Sequence, residues 1–194
     1  MDMEHQRDEP IRFSRGTLDR YRHVCAVVES SEEMHRIFDS FVREGLERGE
    51  KALHIVDPTE RENYIDHYEH LHIPVSTLIG QGQFELRTWH EVHLRPGHFD
   101  QHAMLNLLDE RLEDAQQKGY PRTRLVANMG WAALDYLGIE DLIEYEARAN
   151  YVLSHYRVPV ICVYSTAMFG GDMVIDVLRT HPMPDGGNRR RAPR

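Results

Sequence analysis

A chain of 194 residues, 41% hydrophobic and 28% charged, holds enough apolar material for one well-buried core and does not call for a second domain. Its net charge of −9, with only Lys51 and Lys118 as lysines, argues against the clustered cations that a nucleic-acid partner requires. No apolar run approaches the roughly eighteen residues of a membrane helix, and the opening MDMEHQRDEP is too charged for a signal peptide, so the expected setting is the cytoplasm without membrane contact.

Residues 1–20 are polar, carry no sustained period and read as a lead-in. One domain is expected over residues 21–182, followed by a flexible basic tail over 183–194 that contains Arg189, Arg190, Arg191 and Arg194. Residues 23–28 read as a first strand, running through Glu29, Ser30 and Ser31 into a helix. In that helix Met34, Ile37, Phe38, Phe41, Val42 and Gly45 form one stripe, and Gly49 stops it. Residues 51–56 read as a second strand, and Asp57-Pro58-Thr59 turns into a shorter helix with Tyr64, Ile65, Tyr68 and Leu71 on one side. Residues 73–83 contain Pro74, Gly80 and Gly82 and read as a loop.

A third strand is expected over 84–89, then an irregular stretch, then a long helix capped by Asp100 that buries Met104, Leu105, Leu108, Leu112 and Ala115. Residues 124–129 form the fourth strand and 138–156 a helix. The apolar run 158–164 suits a central parallel strand, and a last helix spans 172–179. Strand and helix in alternation predict an α/β fold in three layers. Its sheet is mainly parallel, with five or six strands and helices on both faces.

In such a sheet, ligands bind beyond the carboxyl ends of the strands. That rule selects Glu29 and Ser30 after the first strand, Asp57 after the second, Trp89 after the third, Asn128, Met129 and Trp131 after the fourth, and Tyr164 after the fifth. His23 joins the list because a histidine opening a central strand must find partners for its ring. Polar and aromatic groups together suit a small-molecule pocket.

Phosphate chemistry is disfavoured. No Gly-Lys dipeptide occurs, so the G-x-x-x-x-G-K-[ST] loop is absent, and Gly80-Gln81-Gly82 precedes a strand instead of opening a helix. Glu32 and Glu33 would repel phosphate from the first helix. The chain has no G-x-S-x-G elbow, and Cys25 and Cys162 fall in buried strands and read as core thiols, although Cys25 shares a strand face with His23. Two histidine groups, His67 with His70 and His72, and His90 with His93, His98 and His102, match no zinc spacing. The expectation is no metal, no cofactor and no catalytic residue. Glu146 is left open between an ion pair with Arg148 or Arg179 and a place in the pocket.

Several segments together carry a family resemblance: HVCAVVESSEE, EGLERGEKALHIVD, GHFDQHAML, NMGWA, EYEARAN and VICVYS followed by VLRTHP, in that order over residues 21–182. The chain resembles the MEDS domain, the methanogen/methylotroph DcmR-type sensory domain. That resemblance implies a RecA/KaiC-like fold whose Walker A phosphate loop has been lost, and a sensory role toward small organic ligands. It also implies output through a DNA-binding, histidine kinase or anti-sigma-type module. The expectation is a stand-alone sensory domain that signals to such a partner as a separate protein, or through a homodimer. The alternatives are a degenerate P-loop-like enzyme (hydrolase or NTPase) and a ligand-free interaction module.

Overall fold

The computed structural model describes residues 10–14, 16–18, 22–156, 158–181 and 183–185. In chain order these form β1 (Ile11–Phe13), β2 (Gly16–Leu18), β3 (His23–Val28), α1 (Ser31–Glu47), β4 (Lys51–Val56), α2 (Arg61–His70), α3 (Val75–Gln81) and β5 (Phe84–Thr88). There follow α4 (Gln101–Gln117), β6 (Thr123–Asn128), α5 (Leu142–Tyr156), β7 (Val160–Ser165), α6 (Gly171–Thr180) and β8 (Met183–Asp185). Six strands make one sheet in the order β5-β4-β6-β7-β3-β8, every neighbouring pair parallel. Among the described residues, no helix is long and apolar enough to cross a membrane.

Side chains alternate between the two faces of the strands, so each strand feeds two cores. Leu53, Leu125, Ala127, Val160 and Cys162 pack beneath α4, α5 and α6. Ala52, Val126, Ile161, Val163 and Val24 pack on the opposite side against Phe38, Phe41 and Val42 of α1 and Tyr64 and Tyr68 of α2. The stripe expected for α1 is the buried one, and Asp100 caps α4 by accepting from the His102 and Ala103 N–H groups.

Three segments depart from the sequence reading. The lead-in contains the antiparallel β1–β2 hairpin, whose Ile11, Phe13 and Leu18 close the α1-side core, with Phe13 5.8 Å from the Phe41 ring. Three-residue strands are too short to show a period. The expected loop at 73–83 holds α3: Pro74 stands at its N-cap and Gly82, at φ 79°, ends it, so the residues that suggested a loop are the ends of a helix. β8, within the expected tail, adds a sixth strand beside β3. The tail arginines lie outside the described residues.

Charges are buried at the amino ends of β4 and β6. Glu50, fully buried, accepts from Arg122 at 3.1 Å and from Arg124 Nε at 2.5 Å. The Arg124 guanidinium also donates to the Phe41 carbonyl at 2.6 Å and to Glu44 at 3.1 Å, which ties β6 to α1. It passes over α1 at Gly45, where a Cβ would lie 2.6 Å from Arg124 Cδ and Nε. Gly45→Ala should therefore push the guanidinium off Glu50 and destabilise the domain by about 3 kcal/mol, the scale of a broken buried ion pair. Gly80→Ala in α3, where nothing lies within 4 Å, should be neutral or stabilising. Urea unfolding of the two variants with unchanged m-value distinguishes them.

Candidate functional site

At the carboxyl ends of β3, β4, β6 and β7, on the α1–α2 face, lies a cavity of about 100 Å³. Val28, Val56, Val126 and Val163 form its apolar floor. Ser30, Ser31, Asp57, Asn128 and Ser165 bring polar groups from the strand ends, and Met34, His35, Tyr64 and Met168 stand around it. Gly130 is required here, because a Cβ would lie 2.9 Å from Asn128 Oδ1 and 3.1 Å from the Trp89 ring. Asn128 holds the turn by accepting from the Gly130 N–H at 2.8 Å.

The start of α1 borders this cavity and is capped and acidic. Ser30 is the N-cap and accepts from the Glu33 N–H at 3.2 Å, while Glu33 reaches back to accept from the Glu29 N–H at 2.8 Å. Glu32 and Glu33 in the first turn take up the positive end of the helix dipole. Asp57 likewise turns inward, accepting from the Thr59 N–H and hydroxyl at 2.8 and 2.7 Å.

His35, one turn into α1, is the polar ring facing the cavity. It stacks on His67 of α2 at 3.6 Å, and Asp39 accepts from His67 Nε2 at 2.9 Å. Burial, reinforced by the His67 charge, lowers the His35 pKa, so at neutral pH the ring is neutral and can donate or accept. Beneath the cavity, His54 on β4 pairs through Nδ1 with the Tyr64 hydroxyl, and burial pushes its pKa down to about 3.

The residues singled out by the strand-end rule separate into four groups. Ser30, Asp57 and Asn128 line the cavity. Glu29 is exposed beside it and contributes its backbone to the cap. Trp89, Met129 and Trp131 belong to the opposite core: Trp131 is fully buried, with the His93 ring at 4.9 Å and the Phe99 ring at 4.7 Å. The chain turns after β6, so consecutive residues there serve different faces.

His23 and Tyr164 meet somewhere else again. His23 lies at the amino end of β3, on the α5–α6 face, and its Nε2 is 3.3 Å from Glu146 Oε2 and 3.4 Å from Cys162 Sγ. The Tyr164 hydroxyl donates to Glu146 Oε1 at 2.5 Å, and His181 Nε2 lies 3.5 Å from Glu146 Oε2. Glu146 thus joins neither Arg148 nor Arg179 and does not line the strand-end cavity. Cys25 is not the thiol that His23 meets. Burial, with the Glu146 charge adding to it, pushes Cys25 up to about 12 and holds Cys162 well above its ordinary value, so neither is a ready nucleophile.

Neither histidine group of the sequence converges. His67 meets His35 and Asp39, whereas His70 donates to the Asp66 carbonyl at 2.6 Å. His93 is buried on Trp131, while His90 reaches Tyr136 and His102 reaches Arg148, both at 3.4 Å.

A family model described as MEDS, the methanogen/methylotroph DcmR sensory domain, matches residues 22–182. The chain belongs to the MEDS family. This makes it one of a family of sensory domains. A solved structure, a KaiC-like protein from the hyperthermophilic archaeon Pyrococcus horikoshii, superposes with a TM-score of 0.59 at 14% identity, covering 81% of this chain and 72% of that one. That likeness establishes the RecA/KaiC-like fold. No curated protein matches the sequence.

Two outcomes test this assignment of residues in the MEDS domain. Trp131→Ala should cost about 3–5 kcal/mol in chemical unfolding, as loss of a core aromatic does. A cavity residue would have left stability nearly unchanged. His54, neutral when folded but protonated below its ordinary value of 6.5 when unfolded, contributes stability that is complete above 6.5 and lost as pH falls toward about 3. Urea unfolding across that window should show a shallower acid loss in His54→Phe than in the parent domain.

Proposed function

We propose that this MEDS domain is a non-enzymatic sensor that binds a small, neutral organic molecule in the strand-end cavity and signals to a separate regulator. The observation that carries the reading is the pairing of an open cavity with a capped, acidic helix start. The helix start that cradles phosphate in nucleotide-binding relatives of this fold is capped by Ser30 and faced by Glu32 and Glu33, while about 100 Å³ beyond it is open. That volume has room for several waters or one small organic molecule. Valine side chains favour its apolar part, and His35, Asn128 and the serines supply hydrogen bonds without adding cationic charge.

Binding becomes a signal when the ligand has different affinities for two states of the domain. Met168 lies on the cavity wall in the β7–α6 connection and is exposed on its outer side, so a molecule in the cavity bears on the start of α6. The output partner in this reading is a transcription regulator, a histidine kinase or an anti-sigma-type protein, met directly or through a homodimer.

A thermal-shift series of small alcohols, halocarbons, inorganic phosphate and ATP tests the reading. At a hundredfold excess over Kd, a neutral ligand should add about 2.7 kcal/mol of stability, and Met34→Trp, which fills the cavity, should abolish the shift. A shift with ATP or phosphate, or the same shift in Met34→Trp, would place binding elsewhere and overturn the proposal.

A further inference from the structure

At the opposite pole from the strand-end cavity, four side chains from four parts of the chain point at one another inside the α5–α6 core. They are His23 at the start of β3, Glu146 on α5, Cys162 in β7 and His181 just after α6, all buried. One donor atom from each lies within 4.8 Å of every other. The separations are 3.3 Å for His23 Nε2 to Glu146 Oε2, 3.4 Å for His23 Nε2 to Cys162 Sγ, 3.5 Å for His181 Nε2 to Glu146 Oε2 and 3.8 Å for Cys162 Sγ to Glu146 Oε2. A tetrahedral ion with bonds of about 2.0 to 2.3 Å holds its donors about 3.3 to 3.8 Å apart.

The hydrogen bonds behind these groups fix which atoms face inward. Asn150 turns its amide nitrogen to the Thr180 and Glu146 carbonyls, at 2.9 and 3.1 Å, so its Oδ1 faces His23 Nδ1 at 3.0 Å and accepts from it. His181 Nδ1 lies 2.7 Å from the Val177 carbonyl, which can only accept. Each neutral imidazole therefore carries its proton on Nδ1 and aims the Nε2 lone pair at the Glu146 carboxylate. Among the described residues His181 Nε2 has no hydrogen-bond partner, although its side chain is fully buried. Lone pairs aimed at a buried carboxylate repel unless positive charge lies between them. One protonated ring would supply it to a single lone pair as an ion pair with Glu146, whereas a metal ion supplies it to both rings and to the sulfur at once.

We infer that His23, Glu146, Cys162 and His181 form a structural site for a divalent transition metal, with zinc the ion that best suits the donor set. Two neutral imidazoles, one carboxylate and one thiolate balance the charge of the ion, and nitrogen with thiolate sulfur selects zinc over magnesium or calcium. Asn150 and Val177 orient the imidazoles from behind, and the Tyr164 hydroxyl holds the other carboxylate oxygen, as outer partners do at metal sites. Cys162 binds as the thiolate, so metal uptake releases its proton. With four protein ligands and no exposure, the site is closed and its role is to join β3, β7, α5 and the end of α6.

The test uses the untagged full chain. Elemental analysis should find one zinc per chain, and chelation followed by cobalt(II) should restore one equivalent with a thiolate-to-cobalt charge-transfer band. That band should vanish in Cys162→Ser and persist in Cys25→Ser and in His67→Asn, which alters the His35–Asp39–His67 group. Zinc-edge X-ray absorption of the parent protein needs no variant, and should show one sulfur at about 2.3 Å with three lighter donors at about 2.0 Å. A folded, chelated chain that takes up neither metal overturns the inference. So does a metal shell without sulfur, or a charge-transfer band that survives in folded Cys162→Ser.

Discussion

A parallel sheet covered on both faces leaves few places for charge, and the domain depends on how Glu50 and Arg124 meet that constraint. The guanidinium is buried at the amino end of β6, where it pairs with Glu50 and donates to the Phe41 carbonyl of α1. In water this pair would contribute little, but in the core each partner makes the other tolerable, and removal of either strands a charge. Because Arg124 spans from a central strand to α1, it fixes how α1 lies on the sheet. The position of α1 in turn sets where Ser30, Met34 and His35 stand around the cavity. Gly45 is the clearance that lets the long side chain through.

The cavity shows what remains when a phosphate-binding helix start is converted to a capped one. In nucleotide-binding versions of this architecture, free N–H groups and a lysine offer positive potential. Here the Glu33 N–H is taken by the Ser30 cap, the Glu33 carboxylate reaches back to the Glu29 N–H, and no lysine stands in the turn. The space beyond the strand ends persists because it comes from sheet topology and not from the lost loop. This MEDS domain therefore keeps a cavity at the strand ends beside a helix start that is capped and acidic.

Much of this was legible in the sequence where the signal is local. The strand at Lys51–Val56, the Asp100 cap and the α1 stripe follow from period and cap chemistry, and Ser30, Asp57 and Asn128 follow from the rule that strand ends line pockets. The hairpin and α3 were missed because three-residue strands show no alternation, and because Pro74 and Gly82 look alike whether they break a helix or bound one. His35 was missed because its direction depends on the rotation of α1 set by Arg124. Glu146, Cys162 and His181 share no spacing with His23; only strand register and the return of α6 bring them together. An isolated Glu146 amid the apolar stripe of α5 was the one available sign, since a carboxylate on a buried helix face needs partners.

α6 has a property that neither of its ends reveals alone. It starts two residues after Met168 and Phe169 at the cavity pole and finishes beside His181 at the buried cluster, ten residues of helix or about 15 Å. A helix of that length resists compression far more than it resists tilting. A displacement of Met168 would therefore tilt the helix about the packed Val177, with His181 on the far arm. The β8 strand follows that arm, so the edge of the sheet beside β3 is where such a tilt would reach the surface.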